Sequence, residues 1–337
     1  MAEPMATERG PGGLLLVHAH PDDEVVATGG LIARSVSEGR RVDLVTCTGG
    51  EEGEIHDPDL DPAEATPRLA EIRRAELECA LLALGEGLIN LHLLGYRDSG
   101  MMGTEANERP ESFWKADLEE ATGRVVRIVR EARPAVIVTY DENGNYGHPD
   151  HINAHRVASA AFDAAADPAR YPEAGAPHEV AKLYHVAWNR EAMYALMQEM
   201  RDRGIELPWD LDAGAGTEAD AGTEAATDAA PPAEELNPTN IEAVRQISED
   251  LASGAGPEDF GTPEAEITTS VDVFPFRDQK RRAMECHRTQ RQDMGWLLDL
   301  PEDLQLGMLT TEWFVLKRWR GREWPADHRE ATIFAEL

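Results

Sequence analysis

Between residues 13 and 204, short apolar runs alternate with stretches of helical period, and this alternation constrains the fold most. "GLLLVHA", "RVDLVTCT", "LINLHLLG", "AVIVTYD" and "KLYHVAW" each have the length and β-branched character of a strand. Between them lie "VVATGGLIARSVSEG", "TPRLAEIRRAELECALLALG", "WKADLEEATGRVVRIVREARP" and "PDHINAHRVASAAFDAAAD", with "NREAMYALMQEMRDRG" after the fifth run. These carry helical periodicity and end signals. The second is expected to be capped by Thr66, to start at Pro67 and to stop at Gly85. Strands alternating with helices of this length predict βαβ units. The expected fold class is therefore α/β, a Rossmann-like, mostly parallel sheet with helices on both faces.

In such sheets ligands sit beyond the carboxyl ends of the strands. "HAHPDDE", "TGGEEGE", "GYRDSG" and "TYDENGNYGHPDH" all follow strand ends, so four polar loops are expected to meet on one rim. The expected organisation has four parts. Residues 1–12 form a disordered N-terminus, and 13–205 form the core. Residues 211–265 form an acidic, low-complexity insertion with too little apolar surface to offset its ordering entropy. Residues 266–337 complete the same domain with a strand, "ITTSVDVFPF", and a helix, "RDQKRRAMECHRTQRQDMGWLLDL".

With 64 acidic against 32 basic residues, the formal charge is −32. That field repels nucleic acid and anionic membranes, and neither is expected as a partner. No apolar stretch approaches the ~18 residues of a membrane span, and the polar start does not read as a signal peptide. A cytoplasmic protein is expected. Cys47, Cys79 and Cys286 lie far apart without a CxxC spacing, so neither a structural disulfide nor a cysteine-rich zinc module is expected.

"HAHPDDE" places His18, His20, Asp22, Asp23 and Glu24 within seven positions. A helix N-terminus favours one or two carboxylates, which is the plain capping account of these acids. Capping does not need two histidines beside three acids, and that crowding of charge calls for a cation. "GHPDH" repeats the His-Pro-Asp idiom after the fourth strand, with His148 and His151 three apart around a turn. A histidine and an aspartate after the first strand, joined by a histidine after the fourth, make a His₂–carboxylate set. With an open position, that is a catalytic zinc pattern.

These two motifs resemble the LmbE/PIG-L family of zinc-dependent N-deacetylases. The resemblance extends through "VTCTGGEEGE", "RRAEL" and "YRDSGMMGT" over roughly residues 13 to 190, with "CHRTQ" echoing a late helix. It implies zinc held by His20, Asp23 and His151, with iron(II) an alternative for such a donor set. It implies Asp22 as general base and His148 as stabiliser of the oxyanion. Asp150 would orient His148, and Tyr146 would donate to the substrate carbonyl. Arg73 and Asp98 would grip a polyol head group, against surface ion-pair and turn roles. The implied partner is a small sugar amide, and a homo-oligomer is left open.

The implied reaction is N-deacetylation of an N-acetylglucosaminyl conjugate of the glucosaminyl-inositol type. The first alternative is an amidase of mycothiol S-conjugates. Such an amidase carries a lysine shortly after "HPDDE", where this chain has Ala27. The second alternative is a metal- or sugar-binding protein without turnover, which the presence of Asp22 beside the donors disfavours. His18 is expected to support the site without ligating, and Glu24 to cap a helix. His92, His155, His185 and His287 are expected to pack, Cys47 to be buried, and one of Glu51 and Glu54 to line the site or stay solvated.

Overall fold

All five apolar runs become parallel strands because both of their faces, except at one edge, are covered. The computed structural model describes residues 12–205, 261–291 and 297–337. β1 (Gly13–His18), β2 (Val42–Thr48), β3 (Ile89–Tyr96), β4 (Pro134–Thr139) and β5 (Lys182–Ala187) lie in one sheet of order β3-β2-β1-β4-β5-β7-β6. Leu14, Leu15, Leu16 and Val17 are all fully buried, as a strand covered on both faces requires. β3 lies at the sheet edge and leaves Leu93 41% exposed.

The helices are α1 (Asp23–Ser37), α2 (Pro62–Ala65), α3 (Leu69–Gly85), α4 (Leu118–Ala132), α5 (Gly144–Gly147), α6 (Pro149–Ala164) and α7 (Arg190–Asp202). α8 (Arg277–Cys286) and α9 (Glu302–Leu309) follow. α1, α3 and α8 pack together, and α4 packs on α6, giving the expected helical layers. Thr66 does not cap α3. It follows α2 directly, and its hydroxyl donates to the Pro62 carbonyl. Gly85 closes α3 as its last residue.

The C-terminal part departs from the expected strand and helix. β6 (Thr269–Asp272) forms, but β7 (Thr311–Trp319), which the sequence reading did not include, lies between β5 and β6, antiparallel to both. The single helix expected over 277–300 breaks at His287, whose ψ of 66° leaves the helical range. Glu312 of β7 is buried and accepts the amides of Gly30 and Leu31, at 2.8 and 2.7 Å, and the Lys280 ammonium at 2.7 Å. Gly30 is needed for this packing, since a Cβ there would lie 2.4 Å from the Val273 side chain.

The cysteine expectation is overturned. Cys79 on α3 and Cys286 at the end of α8 form a disulfide across a sequence separation of 207. Distance along the chain gave no guide, because α3 and α8 pack side by side. Cys47 is free and buried as expected.

The chain forms two compact units, one running to Glu191 and resuming over Gly261–Leu337, the other Ala192–Phe260. The second is described only through residue 205, by most of α7, with Met193, Leu196 and Met200 buried. The expectations for residues 1–11 and 206–260 lie outside the described residues. Residues 261–265, expected as the tail of the insertion, are described, and Thr262 bridges to Asn189. Among the described residues no helix is long and apolar enough to cross a membrane.

Candidate active site

β1 and β4 are neighbours, with β2 and β3 on one side and β5 on the other. The strand order reverses between them, so their parallel carboxyl ends open a crevice at the switch point. The loop after β1 brings His20 and the first turn of α1 to that crevice. The loop after β4 brings His148 and the first turn of α6, where Pro149 takes the first helical position.

His20, Asp23 and His151 converge there from 131 residues apart. His20 Nδ1 lies 3.3 Å from His151 Nε2. Asp23 Oδ2 lies 3.5 Å from His20 Nδ1, and Asp23 Oδ1 lies 3.4 Å from His151 Nε2. The edge of a tetrahedron with metal–ligand bonds of about 2.0–2.1 Å is about 3.3–3.4 Å. Asp23 thus faces each histidine with a different oxygen, and each of the three contacts is near that edge length. Asp23 is pinned by the His20 amide, which donates to its Oδ2 at 2.7 Å. The ring of Tyr140 stacks on His151 at 4.1 Å between centroids and fixes its plane.

Among the described residues, two groupings each offer one ligand atom per residue within reach of a shared ion: His20, His148 and His151, and His20, Asp98, His148 and Asp150. Their other contacts separate them from the first set. His148 Nδ1 already accepts the Asp150 amide at 3.1 Å. Asp98 Oδ1 accepts the Gly100 amide at 2.8 Å, and its Oδ2 accepts the Glu52 amide at 3.3 Å. Asp150 Oδ2 accepts the Ser99 amide at 2.9 Å, and its Oδ1 accepts the Ser99 hydroxyl.

Asp150 touches both histidines. Its carboxylate faces His20 Nε2 at 3.3 Å, and only its main-chain amide reaches His148. Asp98 stands on the same side of His20, 3.6 Å from Nε2. A carboxylate behind a metal-facing imidazole fixes its tautomer and raises its basicity. His148 is the N-cap of α6, and the amide that caps onto Nδ1 leaves the ring proton on Nε2.

The electrostatics follow this crowding. Burial alone would lower the His20 imidazole, but Asp98, Asp150 and Asp23 hold it well above its ordinary value. Burial would raise Asp23, but His151 and His20 hold it well below the usual carboxylate range. Burial takes His151 down to about 4, against the pull of Asp23. Burial, with His20 and His151 nearby, holds His148 well below its ordinary value and keeps it neutral. Burial pushes the Asp22 carboxyl up to about 7, opposed by Arg73 and aided by Asp23.

Arg73 is buried and reaches inward. Its guanidinium donates to Asp22 Oδ2 at 2.8 Å and to the carbonyls of Pro21 and Gly50 at 2.7 and 2.9 Å. Arg73 is thereby ion-paired with Asp22, the residue before Asp23. Tyr146, 43% exposed at the mouth, has its hydroxyl 3.4 Å from His151 Nε2. Glu51 caps the Asp98 amide at 2.9 Å. His18 is buried between Tyr140 and Thr28, and His155 and His185 pack edge to face.

The sequence reading missed Ser99, Tyr140 and the pairing of His287 with Glu24. His287 Nε2 lies 2.7 Å from Glu24 Oε1, and both side chains are fully buried. The motifs "RDSG" and "CHRTQ" marked the segments, but nothing in them indicates the partner.

The PIG-L family model, described as GlcNAc-PI de-N-acetylase, matches residues 15–162. A 1D-myo-inositol 2-acetamido-2-deoxy-alpha-D-glucopyranoside deacetylase 1 of Catenulispora acidiphila is 43% identical over 295 residues, covering 86% of this chain and 77% of that one. The corresponding deacetylase of Geodermatophilus obscurus is 41% identical over 330 residues, covering 96% and 97%. Among solved structures, the N,N'-diacetylchitobiose deacetylase of Pyrococcus horikoshii superposes with a TM-score of 0.52 at 16% identity, covering 91% of this chain and 84% of that one. That likeness speaks to the fold alone. With relatives above 40% identity along most of its length, and with the donor set lying inside the matched segment, the chain belongs to the PIG-L family of de-N-acetylases.

Proposed function

We propose that this protein is a metal-dependent N-deacetylase that removes acetate from N-acetylglucosaminyl-inositol. The observation that carries the reading is the convergence of His20, Asp23 and His151, at 3.3 to 3.5 Å from one another, with Asp22 the residue before Asp23. The substrate comes from relatives named for it, at 43% and 41% identity.

His20, Asp23 and His151 would hold zinc, with iron(II) the alternative for the same donors. The bound ion would supply Lewis acidity, polarising the amide carbonyl and acidifying water. Asp22, raised to about 7 by burial, suits the abstraction of a proton from the attacking water near neutral pH. His148 stays neutral with its proton on Nε2, and so donates a hydrogen bond to the oxygen that gains charge on the tetrahedral carbon. A neutral imidazole is a poor acid for the departing amine. Asp22, which by then carries the proton, delivers it. Tyr146 at the mouth supports a second donor to the same oxygen.

The test is acetate release from N-acetylglucosaminyl-inositol, run beside cleavage of a bimane conjugate of mycothiol. The proposal expects the first to be faster, on the order of 10²-fold in kcat/KM or more. Faster cleavage of the conjugate assigns the amidase reaction instead. No turnover of either by metal-loaded protein leaves a binding protein.

A further inference from the structure

Asp22 stands out in the backbone. Its φ of 130° and ψ of −30° fall where side chains other than glycine rarely lie. Such a conformation persists only if its surroundings hold it there. Asp22 does not cap α1 with its own carboxylate, which turns instead to Arg73. Its amide donates to Glu24 Oε2 at 2.9 Å, and the other oxygen of Glu24 meets His287 Nε2 at 2.7 Å.

We propose that the buried Glu24–His287 pair is a positioning device for Asp22, fixing the strained backbone that aims its carboxylate at the reacting water. The proposal rests on the reading of Asp22 as the base. His287 lies outside the donor set and acts through Glu24. It occupies the break after α8, where the helix turns away so that its ring enters the core. The residue before it, Cys286, is bonded to Cys79 on α3. Two residues after it, Thr289 donates its amide and hydroxyl to Glu76 of α3, at 2.8 and 2.6 Å. α3 is also the helix that presents Arg73. One frame therefore grips Asp22 twice, by the carboxylate through Arg73 and by the amide through Glu24. Without His287, the fully buried Glu24 carboxylate loses the contact that holds it in place against the Asp22 amide.

The experiment compares kcat, KM and zinc content in His287→Asn, His287→Gln and Asp22→Asn, with N-acetylglucosaminyl-inositol as substrate. Asparagine is too short to reach Glu24, whereas the glutamine amide nitrogen falls near Nε2. In His287→Asn, kcat is expected to fall on the order of 10²-fold, the scale of a small misplacement of a reacting group. Its KM should stay within about twofold and its zinc at the wild-type level, and His287→Gln should recover most of the loss. If the asparagine chain does not fold, Glu24→Gln replaces it and should lower kcat by about tenfold at unchanged KM and zinc. Wild-type kcat in these variants, or a fall that tracks zinc loss, overturns the positioning role. Wild-type kcat in Asp22→Asn instead overturns the base assignment, a distinct failure.

Discussion

His20 Nε2 lies 3.3 Å from the Asp150 carboxylate, while Nδ1 of the same ring lies 3.3 Å from His151 Nε2. One imidazole thus joins a buried acid to the donor set. The Ser99 amide and hydroxyl fix that acid in turn. The arrangement sets the Asp150 carboxylate behind His20, while its main-chain amide donates to His148.

Asp150→Asn keeps the shape and removes the charge behind His20. Zinc affinity is expected to fall by about 10- to 100-fold with the fold intact, measured by competition with a chromophoric chelator. Unchanged affinity together with a lower kcat would return Asp150 to the role first expected for it, beside His148.

Asp22→Asn leaves His20, Asp23 and His151 untouched. The variant should bind a full equivalent of zinc and lose about 10²- to 10⁴-fold in kcat. Metal analysis and acetate release on one preparation check both halves.

The Cys79–Cys286 bond closes a loop of more than 200 residues. Cys286→Ser should lower the unfolding free energy by about 2–5 kcal/mol, read from urea titration. Reductant should bring the wild-type chain toward the variant and leave the variant unchanged.

His185 provides a pH test outside the site. Burial, followed by the adjacent His155, takes its imidazole down to about 3. The unfolded chain, with an ordinary histidine near 6.5, binds the proton first. Its contribution to stability is therefore complete above about pH 6.5 and is lost as pH falls toward 3. His185→Asn should show a flatter dependence of unfolding free energy on pH across that window than the wild type.

How much could be read from sequence differs by element. β1, β2, β4 and β5 were legible because strands buried on both faces must be apolar along their length, and β3, at the edge, by its run of apolar residues. β7 was not. Its "TEWFVLKRW" alternates in burial, with Glu312, Phe314 and Leu316 inside, but its place between β5 and β6 depends on pairing across the chain. At the site, the meeting of His20, Asp23 and His151 was legible because charge crowds at the ends of two neighbouring strands. The directions of Asp150, Arg73 and His287 were not. Each lies on a helix or at its end, where one rotamer serves the surface and another the core, and packing against distant elements decides between them. The disulfide was hidden for the same reason.

The central claim is that a metal at His20, Asp23 and His151 enables hydrolysis of the acetamide. Its most direct test is acetate release from N-acetylglucosaminyl-inositol by protein stripped with a chelator and then given one equivalent of zinc. The account predicts loss of at least about 10²-fold on stripping and recovery on reloading in the wild type, with no recovery in His151→Ala. Acetate release at the same rate from stripped protein would contradict it.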